Sequence, residues 1–258
     1  MSVIGIERRG AAAWLTIGRP EARNALSRAV VDGLRGALRE LAREAAVRAV
    51  VLTGAGDQAF CAGADLKERR ALSLDEARVF VGELNALMDE LEALPKLTLA
   101  AMQGSAYGGG IELALCCDLR VGVEGAEYGL TEVRLGIMPG AGGTQRLPRL
   151  LGLARAKEII LLGRRFPARR ALELGLLHQV VERNALGAAV EAYVADVVEC
   201  APISVAQAKA AMHGGWHRPM PDALAHERAC YEVTLGTEDR NEALAAFAAK
   251  RKPIFQGR

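Results

Sequence analysis

The sequence predicts an α/β protein in which strands and helices alternate over residues 1–182 and helices alone fill 183–258. Three observations predict it. Continuous apolar runs at 49–53, 97–102 and 119–123 read as buried strands. Segments with apolar residues at three- and four-residue steps stand between them and read as amphipathic helices. Beyond Val181 only helical runs follow, and no Ser- or Pro-rich linker sets them apart.

In chain order, apolar segments at 3–7 and 13–17 flank Arg9-Gly10 and predict a hairpin. Ser27 precedes an amphipathic run to about residue 43, in which Val30, Leu34, Leu38 and Leu41 share one face. The strand at 49–53 ends in the turn-rich Gly54-Ala-Gly-Asp57. Ser73-Leu-Asp-Glu76 is a capping-box pattern that opens a helix running to about 94, before Pro95. The strand at 97–102 leads into Gly104 and the Gly108–110 run. The strand at 119–123 follows, with 127–130 as a further short candidate. Residues 147–162 read as helical around Gly152, 168–174 as a short helix and 177–181 as a last strand. Helical runs at 185–199, 203–212, 222–235 and 241–250 complete the chain.

Composition narrows the function classes. With 51% hydrophobic residues over 258 positions the chain can bury a large core without a disulfide or metal staple. The net charge of +2 argues against a broad nucleic-acid or membrane-surface footprint. Glu7, Arg8 and Arg9 interrupt any signal-peptide core, and the longest uncharged stretch, 97–111, is shorter than a membrane span needs. Five cysteines without recurring spacing, and four histidines outside metal-ligand intervals, read as reduced thiols and no metal site. A cytoplasmic location is the expectation that follows.

Several motifs fail. Gly108-Gly-Gly110 stands where a dinucleotide loop would, but Leu113 replaces its third glycine; Gly140-Ala-Gly142 likewise ends in Gln145. Neither a P-loop nor a G-x-S-x-G elbow occurs. The pairs Arg164-Arg165 and Arg169-Arg170 have acidic neighbours and read as a solvated face.

What survives is a set of three polar, glycine-rich clusters at strand ends: Phe60-Cys-Ala-Gly-Ala-Asp-Leu-Lys67, Gly104-Ser-Ala-Tyr-Gly-Gly-Gly-Ile-Glu112, and the segment from Glu132 through Gly140 to Arg146. Glycine-rich backbone at a helix start exposes unpaired N–H groups and the positive end of the helix dipole, a site suited to a developing oxyanion. Glu112 or Glu132 alone would be an ordinary structural residue. Together they are two carboxylates, each beside a glycine-rich turn, in a region poor in ionisable groups.

On these motifs the chain resembles the crotonase (enoyl-CoA hydratase/isomerase) superfamily, from Arg19-Pro-Glu-Ala-Arg-Asn-Ala-Leu26 to Ala246-Phe-Ala-Ala-Lys-Arg251. Phe60–Lys67 with Glu68-Arg69, Gly142-Gly-Thr-Gln-Arg-Leu-Pro-Arg149 and Ala229-Cys-Tyr231 look most like 3-methylglutaconyl-CoA hydratases, with general enoyl-CoA hydratases only slightly less similar. The resemblance implies a spiral of ββα units with a C-terminal helical trimerisation region, and a trimer or dimer of trimers. It implies an oxyanion hole at the N–H groups of Ala64 and Gly109, and Glu112 and Glu132 as the catalytic pair. Glu112 would serve chiefly the water and Glu132 chiefly the proton at C2. Ala22, Arg23, Ala62, Asp65, Leu66 and Lys67 fall at positions for coenzyme A, Gly140 on the loop lining the water and acyl side, and Phe247 and Lys250 at tail positions that reach CoA across a subunit boundary. With only 6 Lys against 27 Arg, two lysines at such positions stand out. The implied reaction is reversible hydration of a 2-enoyl-CoA thioester, with no cofactor beyond the CoA of the substrate. Double-bond isomerisation and CoA-ester hydrolysis are the alternatives. Glu21 stands where some relatives carry Lys, and Leu130-Thr131 where some have Gln-Pro, which leaves the acyl preference open.

Overall fold

The structure, a computed structural model, describes residues 3–258. Strands β1 (Ile4–Arg9) and β2 (Ala12–Ile17) form the expected hairpin, but tighter than the apolar pattern suggested. Gly10-Ala11 make the whole turn, so Arg8 and Arg9 stay in the ladder. Arg8 pairs with Glu40 on α1 (Arg28–Arg43) and with Glu44, the residue that caps its end, and Arg9 lies over the Trp14 ring. Ser27 caps α1 by accepting the Val30 N–H, and Val30, Leu34, Leu38 and Leu41 are buried as their spacing requires.

The chain then repeats one pattern. Each unit lays a long strand in one sheet, a short strand in a second, and then a helical segment. The first pair is β3 (Ala49–Gly54) and β4 (Ala59–Cys61), followed by α2 (Leu66–Arg70) and α3 (Leu74–Glu92). The second is β5 (Leu97–Met102) and β6 (Ser105–Tyr107), followed by α4 (Gly109–Leu115). The third is β7 (Leu119–Val123) and β8 (Glu127–Gly129), followed by α5 (Gly143–Leu151) and α6 (Leu153–Leu162). Strand β9 (Phe166–Pro167), helix α7 (Ala168–Leu174) and strand β10 (Gln179–Val181) complete both sheets. The long strands form a six-stranded sheet, β1-β2-β3-β5-β7-β10, parallel apart from the opening hairpin; the short ones form β4-β6-β8-β9. This is the ββα spiral that the resemblance implied.

The strands missed by periodicity are the short ones, β4, β6 and β9. Two or three residues carry no measurable alternation. The expected helix over 147–162 is two helices broken at Gly152, and α5 starts earlier, at Gly143. Ser73 and Glu76 form both arms of the capping box at the start of α3.

Helices α8 (Leu186–Val198), α9 (Pro202–Gly215), α10 (Met220–Leu235) and α11 (Glu238–Ala248) follow. Leu186, Val190 and Val197 carry α8 into the same core as the sheet strands. Lys209 on α9 is buried and donates to Asp118 (2.8 Å), whose carboxylate also takes the Thr98 N–H and hydroxyl. Among the described residues no helix is long and apolar enough to cross a membrane.

Candidate active site

The second sheet creates the site. Strands β4, β6 and β8 are adjacent and parallel, so the residues after each one meet at a single edge. These are Ala62–Ala64, Gly108-Gly109 and Thr131-Glu132. All line one pocket with Leu66, Arg69, Val81, Leu84, Glu112, Leu135, Ile137, Met138, Gly140 and Ala141.

Two backbone N–H groups of the lining have no carbonyl partner among the described residues. Gly109 is the first residue of α4, so its N–H has no carbonyl in its own helix. The backbone bridge between Leu26 and Ala64 runs through Leu26 N–H to Gly63 O (2.8 Å) and Asp65 N–H to Leu26 O (3.1 Å), which bypasses the Ala64 N–H. Gly63 brings the two together. Its φ is +89°, and a Cβ there would stand 2.8 Å from Tyr107 O and 3.1 Å from Gly109 N. Any side chain would push the two donors apart.

The two glutamates are both buried, at 3% exposure for Glu112 and 9% for Glu132, yet their surroundings differ. Oε1 of Glu112 accepts the N–H groups of Ala141 and Gly143, each at 2.8 Å. That loop is itself held: Asn85 donates to Gly140 O at 2.9 Å, and Arg146 donates to Ala141 O while paired with Glu92 and Asp89 on α3. Burial raises the Glu112 carboxyl above its ordinary range, and the two N–H donors pull the other way, toward the charged form. Neither oxygen of Glu132 has a hydrogen-bond partner among the described residues. Burial pushes Glu132 up to about 7; the nearby dipole of its own backbone N–H opposes the rise, the Glu112 charge adds to it, and Arg69 opposes it. Glu132 stands against Gly108, where a Cβ would lie 2.9 Å from Oε1. The two carboxyls thus differ: N–H donors offset part of the burial at Glu112, whereas burial dominates at Glu132.

The structure gathers Ala62, Ala64, Leu66, Gly109, Glu112, Glu132 and Gly140 around the pocket. The turn carrying Ala22 and Arg23 lies alongside, through Arg23 O accepting the Ala62 N–H at 3.0 Å. Lys67 is exposed outside the lining. Asp65 is turned to other work: its carboxylate caps α2 through the Lys67 and Glu68 N–H groups and pairs with Arg19 at 2.9 Å. Phe247, 86% exposed at the end of α11, and Lys250 just beyond it do not line the pocket of their own chain. The motifs did not single out Gly63, Gly108, Ala141 or Gly143 as individual residues, nor Arg69 and Arg146 as neighbours of the site. Their only signal was membership of the glycine-rich clusters or of the motif that follows one.

Two N–H groups without a carbonyl partner among the described residues stand beside two buried carboxylates in this pocket. Residues 7–258 match the Enoyl-CoA hydratase/isomerase family, and the chain belongs to it, within the crotonase superfamily. It is 45% identical over 248 residues to the mouse enoyl-CoA hydratase domain-containing protein 2, mitochondrial, covering 95% of this chain and 84% of that one. It is 40% identical over 247 residues to the human mitochondrial methylglutaconyl-CoA hydratase, covering 94% and 73%. The crystal structure of an enoyl-CoA hydratase from Bacillus anthracis superposes with a TM-score of 0.96 at 41% identity, covering 99% of this chain and 100% of that one.

Proposed function

We propose that the protein is an enoyl-CoA hydratase, adding water reversibly across the 2,3 double bond of a 2-enoyl-CoA thioester. The observation that carries this is the unlike pair of carboxylates beside two free N–H donors. Water attacks C3, its oxygen forming the new C–O bond, while the electron pair of the double bond moves through C2 toward the thioester oxygen. The N–H groups of Ala64 and Gly109 receive that oxygen. Glu112, with Oε1 fixed by the Ala141 and Gly143 N–H groups, orients the water through Oε2 and takes its proton. Glu132 gives its proton to C2. The two acids surround one water and titrate as a coupled pair, so the division describes the main path of each proton.

Ala22, Arg23, Ala62, Leu66 and Lys67 would carry the CoA portion, with Phe247 and Lys250 reaching it from a neighbouring subunit. Trp216, Met220, Phe247 and Ile254 are exposed on the tail, which supports a homo-oligomer in this reading. No cofactor is required, and a cytoplasmic location belongs to the same proposal.

Purified protein should bleach the ultraviolet band of a conjugated enoyl-CoA without added cofactor, and mass analysis should find the 3-hydroxyacyl-CoA. A shifted double bond or free CoA as the product would favour isomerisation or hydrolysis instead. The methylglutaconyl-CoA hydratase reading is favoured by one feature, the arginine in the pocket.

A further inference from the structure

Helix α4 carries two groups of the site, the Gly109 N–H at its first residue and the Glu112 carboxylate in its first turn, and it is only seven residues long. A rod this short points where its two ends are held. At the front, Gly110 packs directly on the backbone of β4, where a Cβ would overlap Cys61 O. At the rear, one side chain does the holding. Arg120, the second residue of β7, is buried at 4% exposure. Its guanidinium donates to Ala114 O (3.3 Å) and Cys117 O (2.6 Å), at and just beyond the end of α4, and to Leu176 O (2.7 Å) in the loop that leads into β10. Its own main chain is locked as well: Arg120 O accepts the His178 N–H at 2.9 Å, and the Arg120 N–H donates to His178 Nδ1 at 3.2 Å.

Two features set this arginine apart from a residue that fills the core. It makes no ion pair among the described residues; Asp118, two positions earlier, gives its carboxylate to Lys209 and Thr98. A guanidinium is seldom buried without an acid, because the lost water must be replaced. Here main-chain carbonyls replace it, two of them at a buried helix end, where carbonyls run short of intrahelical partners. The fork also spans α4 and the β10 approach at once, so α4 cannot slide or tilt without stretching bonds to a charged donor.

We propose that Arg120 is a positioning residue for the reaction: by clamping the rear of α4 to β7 and to the loop before β10, it sets the aim of the Gly109 N–H and of Glu112 at the front. This rests on the oxyanion reading of the pocket. Arg120 itself lies outside the pocket lining and acts through α4.

Acetoacetyl-CoA is the probe. It loses a proton from C2 to give an enolate whose ultraviolet band differs from that of the keto form, so the absorbance of the bound thioester reports how well the N–H groups receive an oxyanion. Wild-type protein should raise the enolate fraction of the bound probe above that of the free probe at the same pH. In Arg120→Met the enolate-to-keto ratio should fall about tenfold, and kcat for a 2-enoyl-CoA about ten- to a hundredfold, with KM changed by less than about threefold. Arg120→Lys keeps the charge and reaches some of the carbonyls, and should recover part of both. Lys96→Met is the control. Lys96 is likewise buried and donates to the Glu44 and Val47 carbonyls beyond the end of α1, a helix that carries no group of the pocket lining. That variant should lose stability with the enolate ratio and kcat unchanged.

A wild-type enolate ratio in both Arg120 variants, whatever their melting temperatures, overturns the proposal. So does an equal fall in Lys96→Met, which would trace the effect to lost stability, or failure of both Arg120 variants to fold, which would assign the arginine to the fold alone. A wild type that binds the probe without raising its enolate fraction refutes the oxyanion reading itself, and the proposal with it.

Discussion

Replacing Glu132 by Gln should stabilise the fold at alkaline pH while abolishing turnover. In the unfolded chain this carboxyl ionises near its ordinary value of 4.5, whereas in the folded pocket it ionises at about 7. Between those values the folded state keeps a proton that the unfolded state has lost, so stability falls as pH rises through this window. The full penalty applies above pH 7. A shift of that size corresponds to about 3 kcal/mol, and water reaching the pocket mouth reduces the expected figure to about 2 kcal/mol. Glutamine has the same shape and cannot ionise, so it escapes the penalty.

The assay is a pair of urea or thermal unfolding series, wild type and Glu132→Gln, at pH 4 and pH 8 and one protein concentration, since association would shift the midpoints. The two proteins should differ little at pH 4, and the variant should gain about 2 kcal/mol on the wild type at pH 8. Hydration should fall by about 10²–10⁴ because the proton donor is gone. A stability difference that does not change with pH would show that Glu132 is not held protonated by the fold. Retained turnover would show that it is not the donor to C2.

For the wild type, kcat/KM should decline as pH rises through about 7, following the protonated Glu132, and Glu112→Gln should lose the acid-side limb along with most activity. Gly108→Ala places a Cβ against Glu132 at a φ of +52°; a cost of about 1–2 kcal/mol and a loss of activity beyond tenfold are expected, read by melting and initial rates. Lys209→Met leaves the partly buried Asp118 without its cation and should cost about 2 kcal/mol in urea unfolding. Ser73→Ala removes one arm of the capping box far from the chemistry, and should lower stability by about 1 kcal/mol with kcat unchanged.

The sequence carried the fold wherever a periodicity ran long enough. Leu34, Leu38 and Leu41 marked α1, and the apolar runs at 49–53, 97–102 and 119–123 marked the centre of the large sheet. It did not carry β4, β6 or β9, because a strand of two or three residues is defined by its neighbours' hydrogen bonds rather than by its own pattern. That gap matters for function, since β4, β6 and β8 side by side are what bring residue 64, residue 109 and residue 132 to one edge. The helix break at Gly152 was legible as a glycine but not as a break, because a mid-helix glycine is tolerated in other settings.

The same division holds inside the site. Residue types and glycine clusters were enough to nominate Glu112 and Glu132, but in the sequence the two are interchangeable: each is a glutamate next to a glycine-rich turn. What separates them is the number of N–H donors each receives, which only the fold determines. Ala141 and Gly143 turn two N–H groups onto Glu112 Oε1, and no group among the described residues hydrogen-bonds either Glu132 oxygen. A hydrogen-bonded carboxylate favours its charge and a stranded one favours its proton. In the proposed mechanism the division of base and acid between the glutamates therefore rests on the backbone of the 140–143 loop, and through it on the Arg146 pairs with Glu92 and Asp89 that hold the loop to α3. Arg146→Met should accordingly relax that loop, weaken the hold on Glu112, and move the acid-side limb of kcat/KM to higher pH while leaving the limb set by Glu132 in place. A limb that stays where it was would mean that the two N–H donors keep their aim without Arg146.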